Sequence, residues 1–473
     1  MAIALTAAYE DACGSVGTET RPDVLAELKG FAQLDDSDSL VGSIALPGNV
    51  PERRASRLSN ADVAAIAVAL LGPDAAAAGL SGEQQHSVAL ELFALPYNRL
   101  DDGSSGAGPS SEPSPGGAAA TESPAAVPPK GDAGGLEAPF LAPLAALVCS
   151  ALRVDLRHND LGPRAVAAMV GPLAPDASRT GPEAPPAAGD AASALDHLRE
   201  LSLDGNPIGD EGALLLAAAL PHMRSLQCLG LEGCRLGSKG FVAVAAALQG
   251  GACPELLELR MGDALLGGAG GSGREQDAIY RLSRAVRDGL PLLEVLSLRR
   301  LTTATAYTAA TLAEHLEEHR SFSVLDLTGC RLAGEGAAAL ARLSVVNERL
   351  EEVGLRATGA GDEGAMAWAA AIRAGSRTAV LDLRQCRIGE EGLTELLGAV
   401  REAADAGSAI PARLLLWGNG WLQAPGARSA LLDLVDTGIA TPRAEASEHA
   451  MLIDCEPTVV DSTVEVAHAP LEG

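Results

Sequence analysis

One eleven-residue pattern recurs along almost the whole chain, and it constrains the fold more than any other feature. Residues 198–208 read LRELSLDGNPI and residues 226–236 read LQCLGLEGCRL. Both carry Leu at positions one, four and six, Asn or Cys at position nine, and an aliphatic residue at position eleven. Positions four and six flank a single residue, so they point to the same face of a short strand. The side chain at position nine turns inward just after the strand. There an Asn amide can hydrogen-bond the backbone of neighbouring copies, and Cys is a smaller substitute. The same template fits residues 256–266, 293–303, 322–332, 350–360, 378–388 and 411–421, with Ala264, Leu301, Cys330, Thr358, Cys386 and Asn419 at position nine. It also fits 151–161 with Asn159, 90–100 with Asn98 and, more weakly, 41–51 with Asn49.

The pieces between copies read as helices. GDEGALLLAAALPHM follows Ile208, AGEGAAALARLS follows Leu332 and GEEGLTELLGAVREA follows Ile388. Gly and acids open each piece, and apolar residues then recur at three- and four-residue spacing, as in Leu216, Ala219 and Leu220. Copies lie 28 to 30 residues apart from Asn206 through Cys234 to Ala264, and again from Leu301 through Cys330 and Thr358 to Cys386. With the G-x-x-G-A-x-x-L-A-x-A-L helix, this period resembles the ribonuclease-inhibitor-like subfamily of leucine-rich repeats over roughly residues 40–435. The resemblance implies an α/β fold, a leucine-rich-repeat solenoid or horseshoe of about 10–11 repeats with a parallel concave sheet and convex helices.

Three regions follow. Residues 1–40 are expected to form an N-terminal helical cap, residues 41–435 the repeats, and residues 436–473 an acidic and mostly flexible tail. Met451 to Ile453 and Val459 to Val460 are apolar enough to dock back on the last repeat. Within the repeats, 102–137 and 174–193 are rich in Ser, Gly, Pro and Ala and read as disordered insertions; a shorter Gly-rich one covers 267–273. The spacing of Tyr9, Cys13, Gly17, Val24, Leu25 and Leu28 resembles the leader of some centrosomal and ciliary leucine-rich-repeat proteins. The simpler reading of those residues is an ordinary helical cap.

Composition excludes several classes. Thirty-five Lys and Arg against 62 Asp and Glu give −27, which disfavours nucleic-acid and anionic-membrane partners. The longest uncharged apolar stretch, 138–152, is broken by Pro139 and Pro143 and is shorter than the ~20 residues of a membrane span. The start shows no signal-peptide pattern, and the eight scattered Cys suit a reducing cytoplasmic compartment.

Motifs for chemistry are weak. His315-Leu-Glu-Glu318-His319 matches H-x-x-E-H, but it falls within a repeat and is expected on a solvated convex face, with no third ligand. Gly237-Ser-Lys239-Gly240 is only a fragment of a phosphate loop. Cys234, Cys330 and Cys386 occupy a repeat position, and the acids at helix starts read as dipole partners. No cofactor, metal or catalytic residue is expected.

The template also says which side chains face outward from the concave sheet. In the C-terminal copies they include Arg299, Arg356 and Arg384 beside Asp326 and Asp382, ending in Trp417, expected to be exposed, with Trp421 nearby. Arg and Trp are enriched at binding hot spots. This row reads either as a strip for an acidic or mixed-charge protein or as a lateral ion-pair ladder. The function expected is a non-enzymatic protein–protein interaction scaffold, in the cytoplasm and in a cytoskeletal, ciliary or flagellar axonemal assembly by the leader resemblance. The alternatives are a small-GTPase regulator resembling the Ran GTPase-activating protein, or an inhibitor of a basic enzyme.

Overall fold

The computed structural model describes residues 2–33, 40–48, 57–72, 88–98, 100, 141–170, 195–266, 273–301, 303–420, 424–442 and 451–454. The insertions at 102–137 and 174–193, the Asn49 position, Trp421 and the tail beyond 454 lie outside the described residues. The chain forms two compact units, Met1–Ala151 with His158–Pro172, and Leu152–Arg157 with Leu173–Gly473.

In the first unit, helices α1 (Ala2–Val16) and α2 (Pro22–Leu28) precede strands β1 (Ala32–Gln33) and β2 (Leu40–Ala45), helix α3 (Asn60–Leu71), strand β3 (Val88–Ala94) and helices α4 (Leu141–Cys149) and α5 (Pro163–Val170). β2 and β3 are parallel, and β1 is antiparallel to β2. Helix α1 lies along α3 and buries Tyr9 and Cys13. It covers α3 as the helix of a preceding coil would. Asp62 joins the pieces: Ser59 and Asp62 form a capping box at the start of α3, and Thr18 donates to Asp62 Oδ1 at 2.9 Å.

The second unit repeats a strand and a helix. Its strands are β4 (Arg153–Asp155), β5 (Glu200–Ser202), β6 (Cys228–Gly230), β7 (Glu258–Arg260), β8 (Val295–Ser297), β9 (Val324–Asp326), β10 (Glu352–Gly354), β11 (Val380–Asp382) and β12 (Arg413–Leu415). Its helices are α6 (Gly209–Ala219), α7 (Ser238–Gln249), α8 (Gly273–Gly289), α9 (Ala306–Leu316), α10 (Ala333–Val346), α11 (Gly361–Arg373), α12 (Glu390–Asp405) and α13 (Pro425–Asp436). Strands β4 to β12 are parallel in chain order, each in register with the next. This is the leucine-rich-repeat α/β solenoid that the spacing predicts. The middle residue of each strand, such as Leu229, Leu296 or Leu381, and the apolar residue two places on are buried against the helices.

The position-nine side chains do the work assigned to them. Asn206 Nδ2 donates to Leu156 O of the preceding coil at 2.9 Å and to Leu203 O of its own at 2.8 Å. Asn419 adds the reverse contacts, accepting from the amides of Cys386 and Ile388. The thiols of Cys234, Cys330 and Cys386 reach the same carbonyls of their preceding coils, at 3.2, 3.2 and 2.9 Å. All three are buried, and burial pushes the Cys330 thiol up to about 12 and raises Cys386, as befits packing groups.

From the 90–100 copy onward the residue before position nine has a positive φ, from Tyr97 and His158 through Gly205, Gly233, Asp263, Arg300, Gly329, Ala357 and Gln385 to Gly418, whereas Gly48 in the first copy does not. Only some of these are Gly, so the fold imposes the left-handed turn whatever the residue. The acids at helix starts serve the next coil. Asp210 Oδ1, in the first turn of α6, accepts from Gly237 N and Gly240 N at the start of α7. Asp362 does the same for Gly389 and Gly392 at the start of α12.

At the C-terminal end, β14 (Met451–Asp454) pairs in parallel with β12, and β13 (Ala440–Pro442) pairs with β14. Met451 and Ile453 are buried, so this segment docks on the last repeat as a strand.

The left-handed position yields a paired test. Gly329 has φ 76°, and a Cβ there would stand 3.1 Å from Arg300 Cγ. Gly329→Ala should cost about 1–2 kcal/mol. Ala357, at φ 59°, already bears that strain, so Ala357→Gly should stabilise by up to about 1 kcal/mol. Urea unfolding of both variants reads the two signs.

Candidate functional site

In each strand of the second unit the middle residue faces the helices, so its two neighbours face the open side of the sheet. Register sets them in rows. The row after the middle residue runs Asp155, Ser202, Gly230, Arg260, Ser297, Asp326, Gly354, Asp382, Leu415. Two residues further on stand Arg157, Asp204, Glu232, Gly262, Arg299, Thr328, Arg356, Arg384 and Trp417.

The structure joins the sequence-derived candidates in pairs. Arg384 grips Asp382 with two bonds of 2.9 and 2.7 Å, and Arg157 grips Asp155 in the same way at 2.9 and 2.8 Å. Arg299 Nε stands 3.4 Å from Asp326 Oδ2 on the next strand. Arg356 instead donates to the neutral amide of Gln385 at 3.1 Å. Trp417 is half-buried rather than exposed, and the last coil is closed by β14 as well. Ion pairing is therefore local for Arg299 and Arg384, and it does not run through Arg356.

The most heavily engaged cation on this face is Arg260, which sequence reasoning did not single out. Its Nη2 donates to Ser202 Oγ at 2.8 Å and stands 3.1 Å from Asp204 Oδ2, while Nη1 meets Glu258. The side chain crosses β6 over Gly230, where a Cβ would come within 2.6 Å of Asp204 and 2.7 Å of Arg260. Burial raises the Asp204 carboxyl, and Arg260 works against that rise. Burial opposes the charge on Arg260 too, but Asp204 and Glu258 outweigh it and raise the guanidinium pKa further. Ser202 and Asp204 are more than fifty residues from Arg260 in sequence. Only laying the coils in register, with a Gly between them, reveals the cluster.

Arg260→Ala would leave the buried Asp204 carboxylate with its backbone bond from Glu232 and the weaker attraction of Arg157. It should cost about 2–3 kcal/mol. Arg356→Ala, which breaks one exposed bond, should stay within about 0.5 kcal/mol. Chemical denaturation of the two variants separates a structural cluster from a free cation.

The H-x-x-E-H motif is not on a solvated face. Helix α9 ends at Leu316, so His319 lies beyond it and does not share its register with His315. Both rings are buried. His315 Nδ1 is 2.9 Å from Ser283 Oγ of α8, and Tyr280 lies edge-on at 5.6 Å. His319 Nε2 donates to Leu290 O at 2.9 Å. The sequence reading failed because the helix terminates between the two histidines. Among the described residues, no three His, Cys, Asp or Glu gather as a metal site. The phosphate-loop fragment is likewise occupied: the Asp210 carboxylate sits on the amides of Gly237 and Gly240, where a phosphate would sit.

Burial, aided by the positive charge of Arg287, lowers the pKa of His315 below its ordinary 6.5. The folded chain keeps the ring neutral while the unfolded chain protonates it below about pH 6.5. Stability should be level from pH 8 to 7 and fall as pH drops through 6.5 towards the depressed folded value. His315→Gln should flatten that part of the Tm–pH curve, as read by calorimetry.

A family model described as Leucine Rich repeat matches residues 195–217 and 318–341. No curated protein matches the sequence. Among solved structures, one titled "Leiomodin-1 Actin-Binding Site 2 (ABS2)" is similar to this chain at 15% identity with a TM-score of 0.28, over 34% of this chain and 88% of that one.

Proposed function

We propose that this leucine-rich-repeat chain is a non-enzymatic protein–protein interaction scaffold, and that it binds through the open sheet face at β8 to β12. Leucine-rich repeats are typically interaction modules. The observation that carries the choice of face is the row Arg299, Arg356, Arg384 and half-buried Trp417 in a chain of net charge −27. Asp326 and Asp382 set the orientation of two of these arginines, which leaves them poised for a partner of acidic or mixed charge.

The setting proposed is a cytoplasmic cytoskeletal assembly such as a cilium or flagellar axoneme. This rests on the leader pattern, whose Tyr9, Cys13, Val24 and Leu28 are all buried in the first unit and whose Gly17 takes a positive φ. Among the described residues no helix is long and apolar enough to cross a membrane.

The test is affinity capture from native cells with the full chain and with an Arg299→Glu, Arg356→Glu, Arg384→Glu triple variant of matched Tm. Capture of cytoskeletal proteins, reduced at least tenfold by the variant, is the expected result. A captured small GTPase whose hydrolysis the chain accelerates, or a captured basic enzyme that it inhibits, would replace the scaffold reading. Capture unaffected by the variant would remove the face from the proposal.

A further inference from the structure

The open face changes character along the sheet. On the side of each strand before the middle residue, β4 to β7 present Arg153, Glu200, Cys228 and Glu258. Over β8 to β11 that row becomes Val295, Val324, exposed Glu352 and Val380, and at β12 it returns to a charged residue, exposed Arg413. The three valines are half-buried. Over β8 to β11 the face is thus banded, with a row of three valines interrupted by Glu352 on one side and the arginine row on the other. Between them run Ser297, Asp326, Gly354 and Asp382.

The middle band is low and its two carboxylates are paired, while the buried Ser297 hydroxyl has no hydrogen-bond partner. A Cβ at Gly354 would stand 2.8 Å from Asp326 Oδ1, so glycine leaves a notch beside that carboxylate. Asp326 accepts from Thr328 N and pairs with Arg299, and Asp382 is held by Arg384. The valine and arginine rows are four residues apart along each strand, no more than about 13 Å at the strand rise. That is close to the 10–12 Å diameter of an α-helix with its side chains. At this end of the sheet β12 is already paired by β14, and β13 beyond it ends in Pro442, which has no N–H to donate.

We infer that the partner presents an amphipathic α-helix, lying across strands β8 to β11 over the Gly354 notch, with acids on one flank and aliphatic residues on the other. The inference rests on the proposed use of this face and specifies its occupant. Strand spacing of about 4.8 Å fixes the expected pattern. Arg299 and Arg356 are two strands apart, about 10 Å, which matches helix positions i and i+7 at about 1.5 Å per residue. Arg356 and Arg384 are on adjacent strands, which matches a further three or four residues. The acids are therefore expected at i, i+7 and i+10 or i+11. The aliphatic residues facing Val295, Val324 and Val380 are expected at j, j+3 or j+4, and j+10 or j+11. The flank over the middle band carries small or basic residues.

The test selects binders to the full chain from two display libraries, one of 18-residue helical peptides and one of proline-containing extended peptides. The affinity of the best fluorescein-labelled peptide is then measured by anisotropy. The result expected is enrichment of helical sequences with both spacings. Arg356→Glu and Val324→Glu, each confirmed folded by Tm, should each weaken binding at least tenfold. An acid-to-Lys change in the peptide should restore at least part of the loss in Arg356→Glu. Val324→Ser covers the case in which Val324→Glu does not fold. Enrichment of extended peptides, of helices without the spacing, or of nothing overturns the helical occupant. If Arg356→Glu weakens binding while both Val324 variants leave it unchanged, the helix falls and the face remains. If none of the variants alters binding, both readings fall.

Discussion

Everything in the second unit depends on one problem of backbone chemistry. Each coil leaves its strand through a left-handed residue and so exposes carbonyls at a sharp, buried turn. Those carbonyls need donors, and the position-nine side chain supplies them in the Asn and Cys coils, though not at Ala264 or Leu301. Asn206 and Asn419 reach their own coil and the one before, so each amide sews two coils together. Cys234, Cys330 and Cys386 donate to the preceding coil in the same place with a weaker donor. Once the coils are tied at that corner, the leucines on either side of the central residue have only one direction in which to point. Strand register follows, and the rows on the open face follow from register.

The parts of this structure that are local in sequence were the parts that could be read. The Leu-x-Leu spacing located the strands, and the Asn and Cys positions located the corners. Helix boundaries were less accessible. His315 and His319 are separated by the end of α9, and nothing in H-x-x-E-H marks that end. The role of Asp210 was half legible. An acid in a first turn suggests its own helix, but this carboxylate caps the next one, two glycines and nearly thirty residues later. Arg260 was missed for the same reason. Its partners are brought to it by the repeat and not by the chain. The arginine row was visible as a list of residues, but the division between paired Arg384 and amide-bound Arg356 was not.

The same logic separates structure from function on the open face. An arginine that lies close to the sheet and satisfies buried carboxylates, as Arg260 does, is committed to holding coils together. Removing it would expose the cost of a buried charge. An arginine whose bond is to an exposed amide has little folding energy invested in its position. It can change partners at small cost. Arg356 is of the second kind and lies at the centre of the row, between Arg299 and Arg384.

Net charge sharpens that distinction. A chain of −27 repels acidic partners over most of its surface, and such repulsion is long-ranged only at low salt. A local row of cations bordered by valines escapes it at short range, because burying the apolar flank excludes water and strengthens each close ion pair. In the proposed complex the two bands therefore work as a unit. The arginines alone would give a weak, salt-sensitive contact, and the valines alone would give one without orientation. Placed on opposite sides of a band lowered at Gly354, they would fix, in the proposed complex, both which way the partner lies and which of its sides faces each row.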